Sequence, residues 1–334
     1  MNIPQPPCLS ICYATKNRSA FFENSVRSLL EHCSCLPIID LVVIDSSDDV
    51  HSTSNQLFLE SIKPLFNRVH YENTIPQGTD SAYHLAIRSS QGSHIWLLSD
   101  DDLVCESTDI FIDQIHKLIA SSSKTCLLIN MSLSSSDLSK VYIKSLVHNS
   151  ESALINKHPV ESIINFSGFL SSHISFVIFR RDLWLDTFEF FPSFPHLTIA
   201  GINLYLASVY DYALISPPFL LLRSGCQSWK KESYSIWYNQ WPSLLLYLGL
   251  TPSSVLLLPS YTILTFMRNL IFYKAINSSI HKHPLLYSGF SLFHKLCFLF
   301  VKHLPQVIAY RLSILLSTFS RYPEITLQQL LENY

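Results

Sequence analysis

The sequence predicts an α/β protein: a mostly parallel sheet flanked by helices, followed by an apolar, basic helical extension. Short apolar runs alternate with segments of helical periodicity in the first half of the chain, as in sheets built from β-α units. The apolar fraction of 48% is enough for a sizeable core. Residues 1–225 hold 14 Lys and Arg against 22 Asp and Glu, whereas residues 226–334 hold 9 against 3. We therefore expect a main domain over residues 1–228 and a helical extension over residues 229–334.

The first β-α unit begins at the apolar run Cys8–Tyr13, which Pro7 precedes and a polar loop follows, as expected for a buried strand. Ser19 can cap the helix that comes next. The run Leu41–Ile44 repeats the pattern of a continuous apolar strand and leads into the polar residues from Asp45. The apolar positions of the first helix recur at helical spacing: Phe22, Val26, Leu29, Leu30 and Cys33.

Two further strands complete the predicted parallel part of the sheet. One lies at Arg68–Tyr71 and is followed by a turn at Pro76–Gly78 and a helix over Ala82–Ile87. The other, His94–Leu98, leads through one serine into Asp100–Asp102. Because the ligand crevice of such sheets lies at the carboxyl ends of the strands, we expect these polar residues to gather there: Thr15, Asn17, Asp45 and Asp100–Asp102.

The rest of the main domain is predicted to hold further strands and two helices, followed by helical, apolar sequence from about Trp229. The predicted strands are Leu127–Asn130, Ile174–Phe179 and Phe219–Leu222, and the predicted helices are Val160–Asn165 and Thr198–Tyr210.

Three consecutive aspartates after an apolar strand are costly to bring together, because like charges repel unless a cation compensates them. A hard divalent ion with oxygen ligands, Mn²⁺ or Mg²⁺, suits such a cluster and can bridge the phosphates of a nucleoside diphosphate. Only 7 glycines occur in the chain, so no Gly-rich phosphate-binding loop can form. The alternative for the triplet is a solvated acidic turn that caps a helix beginning near Ser107.

The order of these motifs resembles the family-2 glycosyltransferases of the GT-A fold. The segment Ala14-Thr15-Lys16-Asn17-Arg18 approximates the Pro-Thr-Tyr-Asn-Arg tail of their first strand, although Ala14 and Lys16 depart from it. The strand Val42-Val43-Ile44-Asp45 matches the one that ends in an aspartate, and Leu97-Leu98-Ser99-Asp100-Asp101-Asp102 matches the metal-binding element. The resemblance is strongest to a bacterial branch with abequosyltransferase-like O-antigen enzymes, and it covers residues 8–105 well and 168–230 loosely.

The resemblance implies a role for each matching residue. Asp102 would be the main metal ligand together with Asp100, and Asp45 would face the nucleobase. The residues that would bind the nucleotide sugar are Thr15, Asn17, Asp45, Asp80, Asp100 and Asp101. The alternatives are that Asp45 merely starts a turn and that Asp80 merely caps a helix.

An inverting transferase needs a general base for the acceptor hydroxyl, and Asp182 and His196 are the candidates we favour. A lone histidine is more often structural, as His173 and His196 could both be. Cations near the diphosphate would assist its departure, and Arg181 is one candidate among a set with Arg180, Lys230 and Lys231. Trp229 lies in a segment typical of a closing loop and would offer a flat face to a sugar or base. A solvated basic loop is the alternative.

The basic rear of the chain suggests membrane contact. The uncharged stretch Ser233–Met267 is long enough to span a bilayer, but three prolines interrupt it. Further on, Phe290–Ser317 interleaves apolar residues with Lys295, Lys302 and Arg311, as expected for helices that rest on an anionic cytoplasmic leaflet. Ordinary packing on the main domain, or a homodimer surface, is the alternative for these helices.

Together these patterns predict a metal-dependent glycosyltransferase that moves a sugar from a nucleotide-diphosphate-sugar donor to a saccharide carried on a polyprenyl diphosphate. Eight cysteines without a Cys-x-x-Cys pair, and a start that lacks a signal pattern, predict a cytoplasmic protein, peripheral on the membrane. The alternatives are a membrane-associated scaffold with a degenerate transferase fold and a metal-dependent nucleotidyltransferase. Nucleic acid binding is not expected, because the basic residues lie among Leu and Phe.

Overall fold

The structure is a computed structural model that describes residues 9–33, 36–75, 78–105, 115, 126–145, 153–155, 159–167, 171–224, 232, 235–258, 263–276 and 291–317. The chain divides into two compact units. The first comprises Met1–Ser134 with Ile143–Arg223, and the second comprises Ser135–Tyr142 with Ser224–Tyr334. The helices after residue 235 belong to the second unit.

The first unit opens with β-α repeats, as the sequence predicts. The first strand lies in the middle of this part, because Leu9 pairs in parallel with Ile39 on one side and with His94 on the other. The elements are β1 (Leu9–Thr15), α1 (Ser19–His32), β2 (Ile39–Asp45), α2 (Asp49–Ile62), β3 (Arg68–Asn73), α3 (Thr79–Ser89) and β4 (His94–Ser99).

The remaining elements extend the sheet with strands of both directions. They are β5 (Leu103–Val104), β6 (Cys126–Ser134), β7 (Val141–Ile143), β8 (Ala153–Ile155), α4 (Val160–Ser167), β9 (Val177–Arg180), α5 (Arg181–Phe190), α6 (Thr198–Val209) and β10 (Tyr212–Arg223). The strand order is β3-β2-β1-β4-β9-β6-β10-β5. Since β9 is antiparallel to both β4 and β6, the strands β1, β2, β3, β4, β6 and β10 all run in one direction. The predicted α/β fold with a mostly parallel sheet is confirmed.

The predicted strands Leu127–Asn130 and Phe219–Leu222 are longer in the structure, as β6 and β10, and a third predicted strand begins later than expected. The run expected to form a strand over Ile174–Phe179 begins with a 3-10 turn at Ile174–Phe176, and the strand itself is β9. The direction of β9 matters for the site, because its first residue lies at the end of the sheet where β4 finishes.

The core of the first unit forms because helices cover the sheet, so that entire strands are buried. All seven residues of β2 are buried, which explains its continuous apolar run. Trp96 of β4, Tyr13 of β1 and Tyr83 of α3 are among the largest side chains with no more than 2% of their surface exposed. The packed core therefore holds the polar residues at the ends of these strands in fixed positions.

The second unit is helical in its described part after residue 235. A short π-helix at Ile236–Gln240 leads into α7. The bounds are α7 (Trp241–Tyr247), α8 (Pro252–Leu257), α9 (Ile263–Ile276), α10 (Leu292–His303) and α11 (Gln306–Ser317). Among the described residues, none of the helices combines the length and the hydropathy that a bilayer crossing requires.

Candidate functional site

Four neighbouring strands of the first unit end at one edge of the sheet, which we call the carboxyl edge. Thr15 pairs with Asp45 and Asp45 pairs with Asn73, so the ends of β1, β2 and β3 are level. Ser99 ends β4 beside the last residues of β1, and Asp100–Asp102 follow it directly. The predicted convergence of the strand ends is therefore present.

The aspartate cluster, Asp100–Asp102, receives a guanidinium from the loop between β1 and α1. Arg18 contacts two of its members, with Nη1 2.8 Å from Asp100 Oδ1 and Nη2 2.8 Å from Asp101 Oδ2. Thr15 Oγ1 donates a hydrogen bond of 2.8 Å to Asp100 Oδ2. The end of β1 thus supplies both a cation and a hydroxyl to the cluster.

Asp102 is held from the opposite side. Ser175 Oγ donates a hydrogen bond of 2.6 Å to Asp102 Oδ2, and the backbone N–H of Ser99 donates to the same oxygen at 3.3 Å. His173 Nε2 lies 3.9 Å from Asp102 Oδ1. Trp96 Nε1 donates to the carbonyl of Ser175 at 3.1 Å, which anchors the 3-10 turn to β4.

Burial dominates the electrostatics of the cluster. It raises the pKa of Asp100 to about 7, because the lowering effect of Arg18 does not offset the loss of solvent. Burial and the charge of Asp101 raise the pKa of Asp102 as well. Burial lowers the pKa of His173, although the charge of Asp101 acts in the opposite direction. Burial therefore disfavours the ionised form of Asp100 and Asp102, and a second cation would favour it.

The cluster suits an ion that takes only part of its ligands from the protein. The described residues contain no group of three His, Cys, Asp or Glu side chains arranged to hold a metal ion. Mg²⁺ is commonly bound by one or two carboxylates together with water and substrate phosphates. Asp100 and Asp102 are 4% and 2% exposed, and burial raises the pKa of both carboxyl groups although Arg18 acts to lower it. These two carboxylates fit such an ion.

Asp45 lies at the carboxyl edge, but its carboxylate is fully buried. Its oxygens accept hydrogen bonds from the backbone N–H of Ser47 at 2.8 Å, from Asn55 Nδ2 at 2.7 Å and from the hydroxyl of Tyr71 at 3.0 Å. Burial raises the pKa of Tyr71, so this hydroxyl stays a donor. The structure shows Asp45 joining β2 to α2 and β3, and it does not show an exposed carboxylate facing a base.

Asn17 connects the loops that follow β1 and β2. Its backbone has a positive φ of 54°, which asparagine tolerates better than most residues. Asn17 Oδ1 accepts a hydrogen bond of 2.8 Å from the N–H of Asp48, and its own N–H donates to Ser47 Oγ at 2.7 Å. Asn17 therefore fixes the loop that carries Arg18.

Asp80 and His196 meet at the amino terminus of α6. The hydroxyl and N–H of Thr198 and the N–H of Ile199 lie near the carboxylate of Asp80 and act to lower its pKa. Burial nevertheless raises the pKa of Asp80, while the helix amides and His196 act to lower it. Asp80 therefore lies against the first turn of α6, not only in the first turn of its own helix. His196 is exposed and has a positive φ of 67°.

Asp182 and Arg181 lie at the other end of the sheet. Arg180, just before them, pairs with His94 at the start of β4, so five residues of strand, roughly 16 Å, separate this point from Ser99. Hydrogen bonds from Arg180 lower the pKa of Asp182, which weakens it as a base. This position does not support Asp182 as the general base.

Arg181 binds the carboxyl terminus of α3. Its Nε donates to the carbonyl of Ile87 at 3.1 Å, and its Nη2 donates to the carbonyl of Arg88 at 2.9 Å. A cation at the end of a helix satisfies free carbonyls and interacts favourably with the helix dipole. This position does not support Arg181 as a diphosphate ligand, and Arg180 shares its location.

Trp229 lies outside the described residues, with most of the predicted closing loop. Two residues without a predicted role also lie in the site, Arg18 and Ser175. The sequence could have indicated Arg18 as a site residue, because it is the last residue of the motif that begins at Ala14. No sequence motif indicates Ser175, since its position beside Asp102 depends on the antiparallel direction of β9.

Comparison with known proteins supports the fold. No protein-family model matches the chain, and no curated protein sequence matches it. Solved structures of Staphylococcus aureus TarS, residues 1–349, are similar in three dimensions. The form in complex with UDP-GlcNAc has a TM-score of 0.55 at 13% identity, over 98% of this chain and 89% of that one. The form without a named ligand gives 0.53 at 13% identity over 98% and 88%, and the UDP complex gives 0.52 at 14% identity over the same shares. The chain therefore has the fold of the GT-A glycosyltransferases.

Proposed function

We propose that this protein is a glycosyltransferase that moves a sugar from a nucleotide-diphosphate-sugar donor to an acceptor saccharide. The observation that carries the proposal is the aspartate cluster at the carboxyl edge, where Asp100 and Asp102 are buried and incompletely compensated. A similar fold has been solved with UDP-GlcNAc in TarS, at low identity. We further propose surface polysaccharide or O-antigen synthesis, with inversion at the transferred sugar, as the resemblance in the sequence implies.

Mn²⁺ or Mg²⁺ would be held by Asp102 and Asp100 together with the donor's phosphates. When bound, such an ion neutralises the phosphate charge and so stabilises the leaving group. Three residues of the chain orient the groups that would hold this ion. Thr15 and Ser175 orient one carboxylate each, and Asn17 fixes the loop between β1 and α1.

We propose His196 as the general base. It is exposed to solvent, where an acceptor hydroxyl can reach it, and it lies beside Asp80. The first turn of α3 carries Asp80 at the carboxyl edge, since Arg181 binds the other end of that helix at the opposite edge. His196 therefore lies at the same edge of the sheet as the aspartate cluster, unlike Asp182.

The acceptor is proposed to be lipid-linked, because the surface helix pair, α10 and α11, is suited to an anionic membrane surface. One face of α10 exposes Leu292, Phe293, Leu296, Leu299 and Phe300, while its other face packs towards α9. Its companion α11 exposes further apolar side chains, and the exposed cations of the pair are Lys302 and Arg311. Neither helix carries a carboxylate. Apolar side chains flanked by cations are typical of helices that lie in the interface of anionic bilayers.

A thermal-shift series tests the proposed function. UDP, GDP, CDP and dTDP are compared with and without Mn²⁺, because a ligand that binds only the folded state raises the unfolding temperature. We expect one nucleotide to stabilise the protein, Mn²⁺ to strengthen the effect, and Asp102→Asn to remove the contribution of the metal. Asp186→Asn, an exposed aspartate on α5, is the matched control and should behave like the wild type.

Two outcomes would count against the proposal. One is that no nucleoside diphosphate stabilises the protein, which would favour the scaffold alternative. The other is stabilisation that ignores both Mn²⁺ and Asp102→Asn. Where a nucleotide does bind, slow hydrolysis of its sugar conjugates identifies the donor sugar.

A further inference from the structure

Two arginines flank one aromatic ring at the carboxyl edge. The guanidinium carbon of Arg18 lies 4.8 Å from the centroid of the Phe21 ring, and that of Arg223 lies 5.1 Å from the same centroid. Their separation cannot exceed the sum of these distances. Arg18 comes from the loop after β1, whereas Arg223 is the last residue of β10, so two distant segments bring the cations together.

The two arginines differ in their counter-charges. Arg18 pairs with Asp100 and Asp101. Arg223 has no carboxylate partner among the described residues, and its Nε is buried without a hydrogen-bond acceptor there. A buried donor of a charged group without a partner is unfavourable, so this guanidinium is prepared for an anion. The contact with Phe21 restricts the orientation of the guanidinium without providing an acceptor for its N–H groups.

Arg223 and the aspartate cluster lie at the same edge of the sheet. Leu220 pairs with Val104 and Leu221 with Leu103 in the antiparallel pair of β10 and β5. The aspartate cluster directly precedes Leu103, and Arg223 is the second residue after Leu221. Arg223 also shares the Phe21 ring with Arg18, which pairs with Asp100 and Asp101. The cation of Arg223 therefore lies at the same edge of the sheet as the carboxylates that would hold the metal ion.

We propose that Arg223 binds the terminal phosphate of the donor's nucleoside diphosphate, with Phe21 orienting its guanidinium. This inference rests on the proposed function, and it names the residue that takes the place of a Gly-rich phosphate loop. A guanidinium suits the task because its planar fork can bind two phosphate oxygens at once. Arg180 and Arg181 cannot serve in this way, since both lie at the opposite edge.

Calorimetric titrations of the whole chain in Mn²⁺ buffer test the assignment. The titrants are the nucleoside diphosphate that stabilises the wild type and the monophosphate of the same nucleoside. We expect Arg223→Ala to weaken diphosphate binding by about tenfold to a hundredfold, the usual worth of a hydrogen bond to a charged group, and to leave monophosphate binding within about twofold. Arg223→Gln, which keeps the stem of the side chain and a polar end without the charge, should show the same selective loss and covers the case in which the alanine variant does not fold.

Arg27 provides a matched control. Its guanidinium carbon lies 5.1 Å from the centroid of Phe58, the same distance as in the Arg223 contact, but it pairs with Glu23 on the exposed side of α1. Arg27→Ala should leave both affinities at the wild-type values.

Equal diphosphate affinity in Arg223→Gln and the wild type would overturn the assignment while leaving the proposed function intact. An equal loss for both nucleotides would also overturn it, because the residue would then not read the terminal phosphate. Failure of every nucleoside diphosphate to bind the wild type would instead remove the proposed function, and this inference with it.

Discussion

Ser175 donates a hydrogen bond to Asp102, with 2.6 Å between Oγ and Oδ2, although 73 positions separate the two residues in the chain. The serine belongs to the 3-10 turn before β9, whereas the aspartate follows β4. Because β9 is antiparallel to β4, its start lies against the end of β4. One antiparallel strand thus completes a site that parallel strands begin.

Replacing Ser175 by alanine should weaken metal-dependent nucleotide binding. The hydroxyl lowers the pKa of Asp102, so its loss would raise that pKa further and make the carboxylate a poorer metal ligand near pH 7. We expect about a tenfold weaker Mn²⁺-dependent affinity, the worth of a charged hydrogen bond, measured by calorimetry at pH 7. The deficit should shrink as the pH is raised, since the carboxylate then ionises in both proteins.

Ser61→Ala is the control for this substitution, because Ser61 Oγ donates only to the carbonyl of Phe58 within α2. It should leave the affinity unchanged. A deficit in Ser175→Ala that is the same at pH 7 and pH 9 would contradict the role assigned to the hydroxyl.

The residues around Asp45 show what the sequence could and could not predict. An apolar run followed by an aspartate places Asp45 at a strand end from local pattern alone, and the structure agrees. Its partners Asn55 and Tyr71 belong to α2 and β3, and only the packing of those elements selects them. The location of Asp182 could not be predicted from the sequence for a related reason. An apolar run carries no sign of the direction of its strand, and the antiparallel course of β9 moves its carboxyl end to the opposite edge.

The stability of the protein should fall on acidification through His84. Its ring stacks on Phe188, with 3.7 Å between centroids, and lies 5.8 Å from Trp184. Burial and the charge of Arg88 lower the pKa of His84 from 6.5, and Glu189 opposes them only in part. The unfolded chain therefore takes up a proton at a higher pH than the folded chain, so stability is lost as the pH falls below about 6.5.

Urea unfolding of the wild type and of His84→Phe between pH 5 and pH 8 measures this contribution. Phenylalanine retains the stacking but cannot be protonated. We expect the difference in unfolding free energy between the two proteins to be constant above pH 7.5 and to shift in favour of the variant as the pH falls. Curves that stay parallel over the whole range would show that His84 makes no such contribution.

Gly92→Ala should destabilise the first unit without affecting the site. A Cβ atom at this position would lie 2.5 Å from the backbone nitrogen of Ser10 and 2.8 Å from the carbonyl carbon of Leu9. Both belong to β1, which is paired on both sides and cannot move aside. We expect a loss of about 1–3 kcal/mol in unfolding free energy, as for other overpacked positions. Ser93→Ala, at the exposed neighbouring position, is the control and should change the unfolding free energy little. Nucleotide affinity of Gly92→Ala at low temperature should be retained, because Gly92 precedes β4 at the edge opposite the aspartate cluster.

The surface helix pair should bind anionic vesicles through its exposed apolar face. Leu296 and Phe300 lie one turn apart on α10 and are 54% and 59% exposed. Burying such side chains in a lipid interface contributes about 1.5–3 kcal/mol each, so the double change Leu296→Asp with Phe300→Asp should weaken binding by more than about tenfold. The measurement is co-sedimentation of the full chain with vesicles of phosphatidylglycerol and phosphatidylcholine.

Leu57→Asp is the matched control, since Leu57 is an exposed leucine on α2 in the first unit. Binding to vesicles of phosphatidylcholine alone should be weaker, because Lys302 and Arg311 then lose their counter-charges. Equal binding by the double variant and the Leu57→Asp control would exclude this face as the membrane contact, and a concentration-dependent dimer that only the double variant loses would assign the face to a second copy of the chain.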